Sequence, residues 1–134
     1  CQRVEMIVRP ARQEDIPAIV EIVERCGLKA DDVDYSVWSG LVLVAVRQSE
    51  IVGFVHVLPA RPYSVITHIA VLPEYRKGRA VAKLMESAEL LLRHAGCGNW
   101  FTHIYEKDDA LRESVRHWGA YEAPVPGYLY KRVL

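Results

Sequence analysis

The spacing of apolar positions predicts a strand and then a helix at the start of the chain. Residues 6–9 form a short β-rich run. Across residues 15–25, apolar side chains recur with the 3.6-residue period of an amphipathic helix. Pro17 fits only the first turn of a helix, so the helix begins just before it, and Gly27 is placed to end it. Residues 30–38 are ambiguous and compatible with a further short helix.

The middle of the chain changes to the pattern of strands. Three β-rich runs occupy residues 41–46, 51–58 and 64–71. A polar turn separates the first two runs, and prolines lie in the segment between the second and third runs. This arrangement is typical of an antiparallel meander. Over residues 79–94 the apolar positions return to a helical period, and glycines follow the last turn. The pattern therefore predicts three consecutive strands followed by a long helix.

The C-terminal part continues the alternation of strands and helices. Residues 100–104 indicate a strand, and Asp108 is a natural N-cap for a short helix that runs to about residue 118. Residues 128–133 indicate a last strand. The resulting order, with strands central and helices at both ends, predicts the α/β class with a mixed sheet flanked by helices. We expect residues 1–134 to form one domain.

Composition narrows the classes of function. The 134 residues are 51% hydrophobic and 25% charged, which is ordinary for a globular protein and argues against disorder. With 17 basic and 17 acidic side chains, the chain lacks the positive surplus on which nucleic-acid binding depends. No apolar stretch approaches the ~18–20 residues of a membrane span. We therefore expect neither a nucleic acid nor a membrane as partner.

The cysteines and histidines favour a reducing compartment without a metal site. The three cysteines, Cys1, Cys26 and Cys97, show no C-x-x-C spacing and no disulfide framework. This usage is typical of a cytoplasmic protein. His94-x-x-Cys97 is an isolated pair, and no set of residues has the spacing of a known metal site, so no metal is expected.

The stretch with the clearest chemistry is His-Ile-Ala-Val-Leu-Pro-Glu-Tyr-Arg-Lys-Gly-Arg-Ala-Val at residues 68–81. A predicted strand ends within it, a basic loop follows, and a long helix starts at once. Backbone N–H groups at a helix N-terminus bind anions. Arg76, Lys77 and Arg79 add positive charge, and Gly78 allows close approach of the backbone. The stretch predicts a pyrophosphate site, and a solvated basic turn is the alternative interpretation.

A family resemblance rests on this stretch. Ile-Ala-Val-x-Pro-Glu-Tyr-Arg at residues 69–76 resembles motif A of the GNAT N-acetyltransferase superfamily. Residues 7–16 resemble the family's first strand and helix, and residues 118–121 lie where the family often ends its last helix with Gly-Phe. The loop departs from the family's usual glycine pattern, because its small residues, Gly78 and Ala80, come one place early. In this respect the chain is similar to a phage- or bacterial-type variant.

The resemblance implies a fold, a cosubstrate and a reaction. The fold would be a central, mostly antiparallel sheet flanked by helices, as in acyl-CoA N-acyltransferases. The cosubstrate would be acetyl-CoA, and the reaction acetyl transfer to a primary amine of a small molecule or peptide. The pantetheine would lie in a gap between two diverging strands and pair with one of them, with the pyrophosphate on the following loop. The residues implied in cofactor binding are Ile69, Ala70, Val71, Arg76, Lys77, Gly78, Arg79, Ala80 and Val81.

Three histidines are candidates for the general base that the acceptor amine needs. His68 directly precedes the segment expected to hold the pantetheine, His56 lies on the preceding strand, and His103 lies on the neighbouring one. If the hairpin pairs even numbers with even numbers, His56 and His68 share a face. Each histidine has the alternative of a structural hydrogen bond within the sheet. The family often has a tyrosine that acts as general acid for the departing thiolate, and in this chain the corresponding position holds Val115. The candidates to replace that tyrosine are Tyr105, Tyr121 and Tyr128.

Two other classes of function stay open at this point. The variant loop and the missing tyrosine allow an acyl-CoA-binding module that has lost catalysis. A protein–protein adaptor, which would bind no CoA, is the third class. We also expect a homodimer, because the C-terminal strand at residues 128–133 is available to pair or pack across a two-fold axis.

Overall fold

A single seven-stranded sheet organises the part of the chain that the computed structural model describes. The described residues are 5–27, 41–76, 79–103, 112–113, 116–117, 121–122 and 128–132. The strands are β1 (Met6–Pro10), β2 (Leu41–Arg47), β3 (Glu50–Leu58), β4 (Ser64–Val71), β5 (Asn99–His103), β6 (Tyr121–Glu122) and β7 (Tyr128–Arg132). The helices are α1 (Ile16–Arg25) and α2 (Ala80–His94), and short 3₁₀ turns span Gln13–Asp15 and Pro73–Tyr75.

The strand order is β1-β2-β3-β4-β5-β7-β6. Within the described ranges, β4 and β5 are the parallel pair, and the other neighbours run antiparallel. The expected α/β class, the antiparallel meander and the mostly antiparallel sheet are therefore confirmed. No described helix has the length and apolar character needed to cross a bilayer.

The predicted elements agree with the observed ones to within about two residues, apart from three segments. Strand β6 was not predicted, because two residues are too few to show a period. The helix considered for residues 30–38 lies outside the described residues. Most of the helix predicted for 108–118 does too, although residues 112–113 and 116–117 are helical.

The sheet carries one apolar layer on each face. Strand alternation sends successive side chains to opposite faces, so Val44 and Phe54 pack with α1, whereas Leu43 and Val55 pack with α2. Pro17 lies in the first turn of α1, as predicted. The helix residues that fill these layers are Ile19, Ile22 and Val23 of α1 and Leu84, Met85, Ala88 and Leu92 of α2.

A buried charge attaches α2 to β5 and β7. The Glu89 carboxylate accepts hydrogen bonds from Lys131 Nζ at 2.5 Å and from Trp100 Nε1 at 3.3 Å. Both Glu89 and Trp100 are buried. Because an isolated buried carboxylate is costly, these partners fix the position of β5 against the helix.

The C-terminal strand is not a continuous sheet edge. Strand β7 lies between β5 and β6, and its Leu129 and Tyr130 pair with Glu122 and Tyr121 of β6. Over these residues, pairing across a two-fold axis through β7 is blocked by β6. The homodimer stays a prediction.

A second ion pair joins β1 to the start of α1. The Asp15 carboxylate accepts hydrogen bonds from Arg9 Nη1 at 2.7 Å, from Arg9 Nη2 at 3.0 Å and from the Arg12 backbone N–H at 2.7 Å. Asp15 is buried. These bonds, above all those from Arg9, lower the pKa of Asp15 below its ordinary value, because they favour the charged form.

The lowered pKa predicts an acid-dependent loss of stability. Asp15 stabilises the fold above the unfolded-state pKa of about 3.9, and this contribution disappears as the pH falls through the lower folded-state value. Asp15→Asn should lower the free energy of unfolding by about 1.5–3 kcal/mol at pH 7 and flatten its dependence below about pH 4. Urea denaturation across this range measures both effects.

The matched control is Glu14→Gln, which removes the same charge from an exposed neighbour whose ion pair with Arg12 is solvated. Its unfolding free energy should stay close to that of the parent. An Asp15→Asn variant with the parent's stability at pH 7 and the parent's acid dependence would contradict this role.

Candidate functional site

Within the described residues, the parallel pairing of β4 with β5 ends after three residue pairs. Their parallel pairing runs from Ser64 opposite Trp100 to Ile66 opposite Thr102. At the last pair, Thr102 Oγ1 donates a hydrogen bond of 3.0 Å to the Ile66 carbonyl. Strand β4 then continues to Val71 alongside β3. Among the described residues, nothing pairs with the side of β4 that faces β5 over its second half, which agrees with the divergence that the family resemblance implies.

The open side of β4 presents backbone groups of two of the expected residues. Leu72 N–H donates to the Val52 carbonyl on β3 at 2.8 Å. Because successive residues of an antiparallel ladder point in opposite directions, Ala70 directs its backbone groups to β3. By the same alternation, Ile69 and Val71 direct theirs to the open side. The Ala70 side chain is buried in the layer under α1, so this residue does not face the opening.

Arg76 braces the end of β4 against α1. Its Nε donates to the Val71 carbonyl at 3.0 Å, and its Nη2 lies 3.4 Å from Cys26 Sγ at the end of α1. An ion pair between Arg25 and Glu74 adds a second link between the same segments. The sequence predicted Arg76 as a phosphate ligand. In this structure Nε and Nη2 of its guanidinium contact the protein, and its role toward phosphate stays a prediction; only tertiary structure could reveal these contacts, since Cys26 is distant in sequence.

The first turn of α2 has the features of an anion site. Arg79 is the N-cap residue and makes no side-chain capping hydrogen bond. The backbone N–H groups that follow, including those of Ala80 and Val81, have no acceptor within the helix. No acidic residue lies in this turn, and the Arg79 side chain is 77% exposed, 3.9 Å from Glu86. Two further residues of the expected phosphate loop lie outside the described residues, namely Lys77 and Gly78.

The two candidate histidines of β3 and β4 lie opposite each other. His56 pairs with His68, and their ring centroids are 6.4 Å apart with nearly parallel planes. The even-to-even register, on which their sharing of a face depends, is therefore present at this pair. A β-bulge follows, because the next pair is Val57 with Ile66, which leaves Thr67 as the extra residue. His56 is only 5% exposed, whereas His68 is half-buried.

The bulge brings a hydroxyl between the two imidazoles. Thr67 Oγ1 lies 2.5 Å from His56 Nδ1 and 3.1 Å from His68 Nδ1. Sequence reasoning missed Thr67, because a bulge leaves no sign in the hydrophobic pattern. His103 is the last residue of β5, directly after the final β4–β5 pair at Thr102, so its backbone also lies at the opening. No three potential metal ligands cluster in the described ranges.

The tyrosines considered as replacement acids are placed differently. Tyr128 pairs with His103 across β7 and β5, so its backbone is next to the opening. Tyr121 lies on β6, one strand farther away. Tyr105 and Val115 lie outside the described residues. The backbone of Tyr128 therefore lies nearer to the open side of β4 than the backbone of Tyr121 does.

Residues 8–119 match the model of the acetyltransferase (GNAT) family. The match covers well over half of the chain, so the protein belongs to the GNAT acetyltransferase family. This family uses an acyl-CoA. No curated protein matches the sequence significantly.

Solved structures show the same fold at low sequence identity. Ard1 from Thermoplasma volcanium is 15% identical with a TM-score of 0.83, over 98% of this chain and 99% of that one. The PaiA N-acetyltransferase from Thermoplasma acidophilum, solved in complex with coenzyme A, is 14% identical with a TM-score of 0.82, over 96% and 99%. The ribosomal-protein-S18-alanine N-acetyltransferase from Escherichia coli is 16% identical with a TM-score of 0.82, over 96% and 94%.

Proposed function

We propose that this chain is an N-acetyltransferase that moves an acetyl group from acetyl-CoA to a primary amine of a small molecule or peptide. The observation that carries the proposal is the open side of β4, which leads directly to the first turn of α2. The relative from Thermoplasma acidophilum, solved with coenzyme A, supports the choice of cosubstrate. We further propose that residues 1–134 act as one domain in the cytoplasm, where thiols such as Cys26 and Cys97 stay reduced.

The chemistry of the described residues fits coenzyme A. The N–H and carbonyl of Ile69 and the N–H of Val71 can pair with an extended amide-bearing chain as a neighbouring strand would, while the Val71 carbonyl accepts from Arg76. The N–H groups of Ala80 and Val81 and the charge of Arg79 suit the pyrophosphate. The Arg76 brace fixes the end of β4, and we infer that it shapes the site without donating to phosphate. Bound acetyl-CoA would supply the acetyl group as a thioester.

The proton on the acceptor amine requires a base. An alkylamine has a pKa near 10.4, so freeing its lone pair at pH 7 costs about 4–5 kcal/mol. An imidazole is suited to accept this proton, because its reference pKa is near 6.5. We assign the base to His68, which is more exposed than His56 and lies just beyond the point where β4 and β5 part. His103 is the alternative base.

The proposed pyrophosphate site predicts a charge effect on CoA binding. Arg79→Glu should weaken CoA binding by about tenfold or more, because one charge-assisted hydrogen bond contributes ~1.5–3 kcal/mol. Isothermal titration calorimetry with CoA measures the affinity. The matched control is Arg93→Glu, which reverses the same charge on an exposed residue at the opposite end of α2.

Arg93→Glu should bind CoA as the parent does. Equal affinities for the folded Arg79→Glu variant, the control and the parent would contradict a pyrophosphate at the start of α2.

The assignment of the base predicts a rate effect without a binding effect. A panel of amines, screened by thiol release, first identifies a working acceptor. His68→Gln should then lower kcat by about 10²–10⁴-fold, because it removes a general base, and the acidic limb of the pH profile should vanish. CoA affinity should change little.

The control for this variant is His94→Gln, an exposed histidine in the last turn of α2. It should retain the parent's turnover and pH profile. If His68→Gln does the same, His68 is structural and His103 becomes the candidate.

A second candidate function is an acyl-CoA-binding module without catalysis. It is favoured by Val115, which stands where the family often has its acidic tyrosine. Such a module would bind CoA in an Arg79-dependent manner and release no thiol with any amine. A protein–protein adaptor would bind no CoA at all, so the same two measurements separate the three classes.

A further inference from the structure

The hydroxyl of Thr67 contacts the same ring nitrogen in both histidines. Its Oγ1 is 2.5 Å from His56 Nδ1 and 3.1 Å from His68 Nδ1. A hydroxyl carries one hydrogen and two lone pairs, so it can donate to only one of these nitrogens. The other nitrogen must then carry its own hydrogen and donate it to Oγ1. The two imidazoles are therefore held in opposite tautomers.

The distances indicate which histidine receives the Thr67 hydrogen. Hydrogen bonds from hydroxyls are typically shorter than those from N–H groups, which favour about 2.9–3.0 Å. The short contact identifies His56 Nδ1 as the acceptor, and the longer one identifies His68 Nδ1–H as a donor. A further acceptor near Oγ1, the His56 carbonyl, lies farther away at 3.4 Å. In neutral His68 the hydrogen is then on Nδ1, and the lone pair is on Nε2.

We propose that Thr67 is a positioning residue that holds His68 in the tautomer a general base requires. This inference rests on the proposed acetyl transfer and goes beyond it, because it selects the reacting atom, His68 Nε2, and assigns His56 a supporting role. The burial of the two side chains agrees with His68 as the reacting residue and His56 as the supporting one. His68 is half-buried and lies two residues beyond the last β4–β5 pair, whereas His56 is buried on β3.

The proton step is balanced within these groups. An N–H bond of the acceptor ammonium breaks, its electron pair stays on the amine nitrogen, and the proton forms an Nε2–H bond on His68. The imidazolium that results keeps its Nδ1–H on Thr67 Oγ1, where the hydrogen bond strengthens because the donor is now charged. Thr67 keeps its own hydrogen on His56 Nδ1, so its oxygen stays an acceptor throughout.

Two substitutions of Thr67 test this inference. Thr67→Val keeps the branched shape and removes the hydroxyl, while Thr67→Ser keeps the hydroxyl and serves as the matched control. Long-range ¹H–¹⁵N spectra of histidine-labelled resting protein, recorded where both imidazoles are neutral, report the tautomer of each ring. The signals are assigned by their loss in His56→Gln and His68→Gln, and thermal melting confirms that every variant is folded.

In the parent and in Thr67→Ser, we expect the hydrogen on Nδ1 in His68 and on Nε2 in His56. In Thr67→Val, His68 should lose its preference for the Nδ1–H form. A parent spectrum with His68 in the Nε2–H form, or a Thr67→Val spectrum identical to the parent's, would overturn the inference.

Kinetics with a working acceptor provide the second readout. Thr67→Val should lower kcat by about 10–100-fold, as expected when a group that orients a functional histidine is removed. The acceptor KM and the CoA affinity should stay near the parent values, and Thr67→Ser should restore most of the rate. Unchanged kcat in Thr67→Val would overturn the role of Thr67 even if the tautomers are as expected. The expected tautomers in a protein that acetylates no amine would instead contradict the proposed function.

Discussion

The structure depends most on the separation of β4 from β5 after the pair Ile66–Thr102. At this pair, the Ile66 carbonyl accepts a hydrogen bond from a side chain, Thr102 Oγ1. The bulge at Thr67 follows at once, and bulges increase the local twist of a strand. In the part of the chain that the structure describes, an inner strand is thereby left with an open side, a feature that proteins usually protect. We interpret the opening as the place where a ligand completes the sheet.

Side-chain contacts on both faces of the sheet fix the elements that border the open side of β4. On one face, Arg76 joins the Val71 carbonyl to Cys26 at the end of α1. On the other face, Glu89 joins α2 to Lys131 of β7 and to β5. The first turn of α2 follows β4 in the chain after the short 3₁₀ turn Pro73–Tyr75. The proposed sites for the amide-bearing and the pyrophosphate parts of CoA are therefore consecutive in the chain and fixed against each other.

Much of this arrangement could be predicted from the sequence. Periodicity indicated the main strands and helices, because each buries one regular face, and the family resemblance indicated the strand–loop–helix stretch that the family match then supported. The opposition of His56 and His68 was a conditional expectation that required an even register, and the structure has that register. The bulge at Thr67 could not be predicted, because it changes pairing without changing the hydrophobic pattern. The Arg76 side chain contacts Cys26, which is fifty residues away in sequence, so no local sequence pattern could predict its direction.

The most direct test of the account is a map of the CoA-binding surface by backbone amide chemical shifts. Titration of the ¹⁵N-labelled protein with CoA should shift the amide signals of Ile69 and Val71 on β4 and of Ala80 and Val81 on α2. The amide of Val8 on β1, which is separated from β4 by two strands, should stay in place. Large shifts on β1 with none on β4 or in the first turn of α2 would contradict the claim that the open side of β4 is the acyl-CoA site.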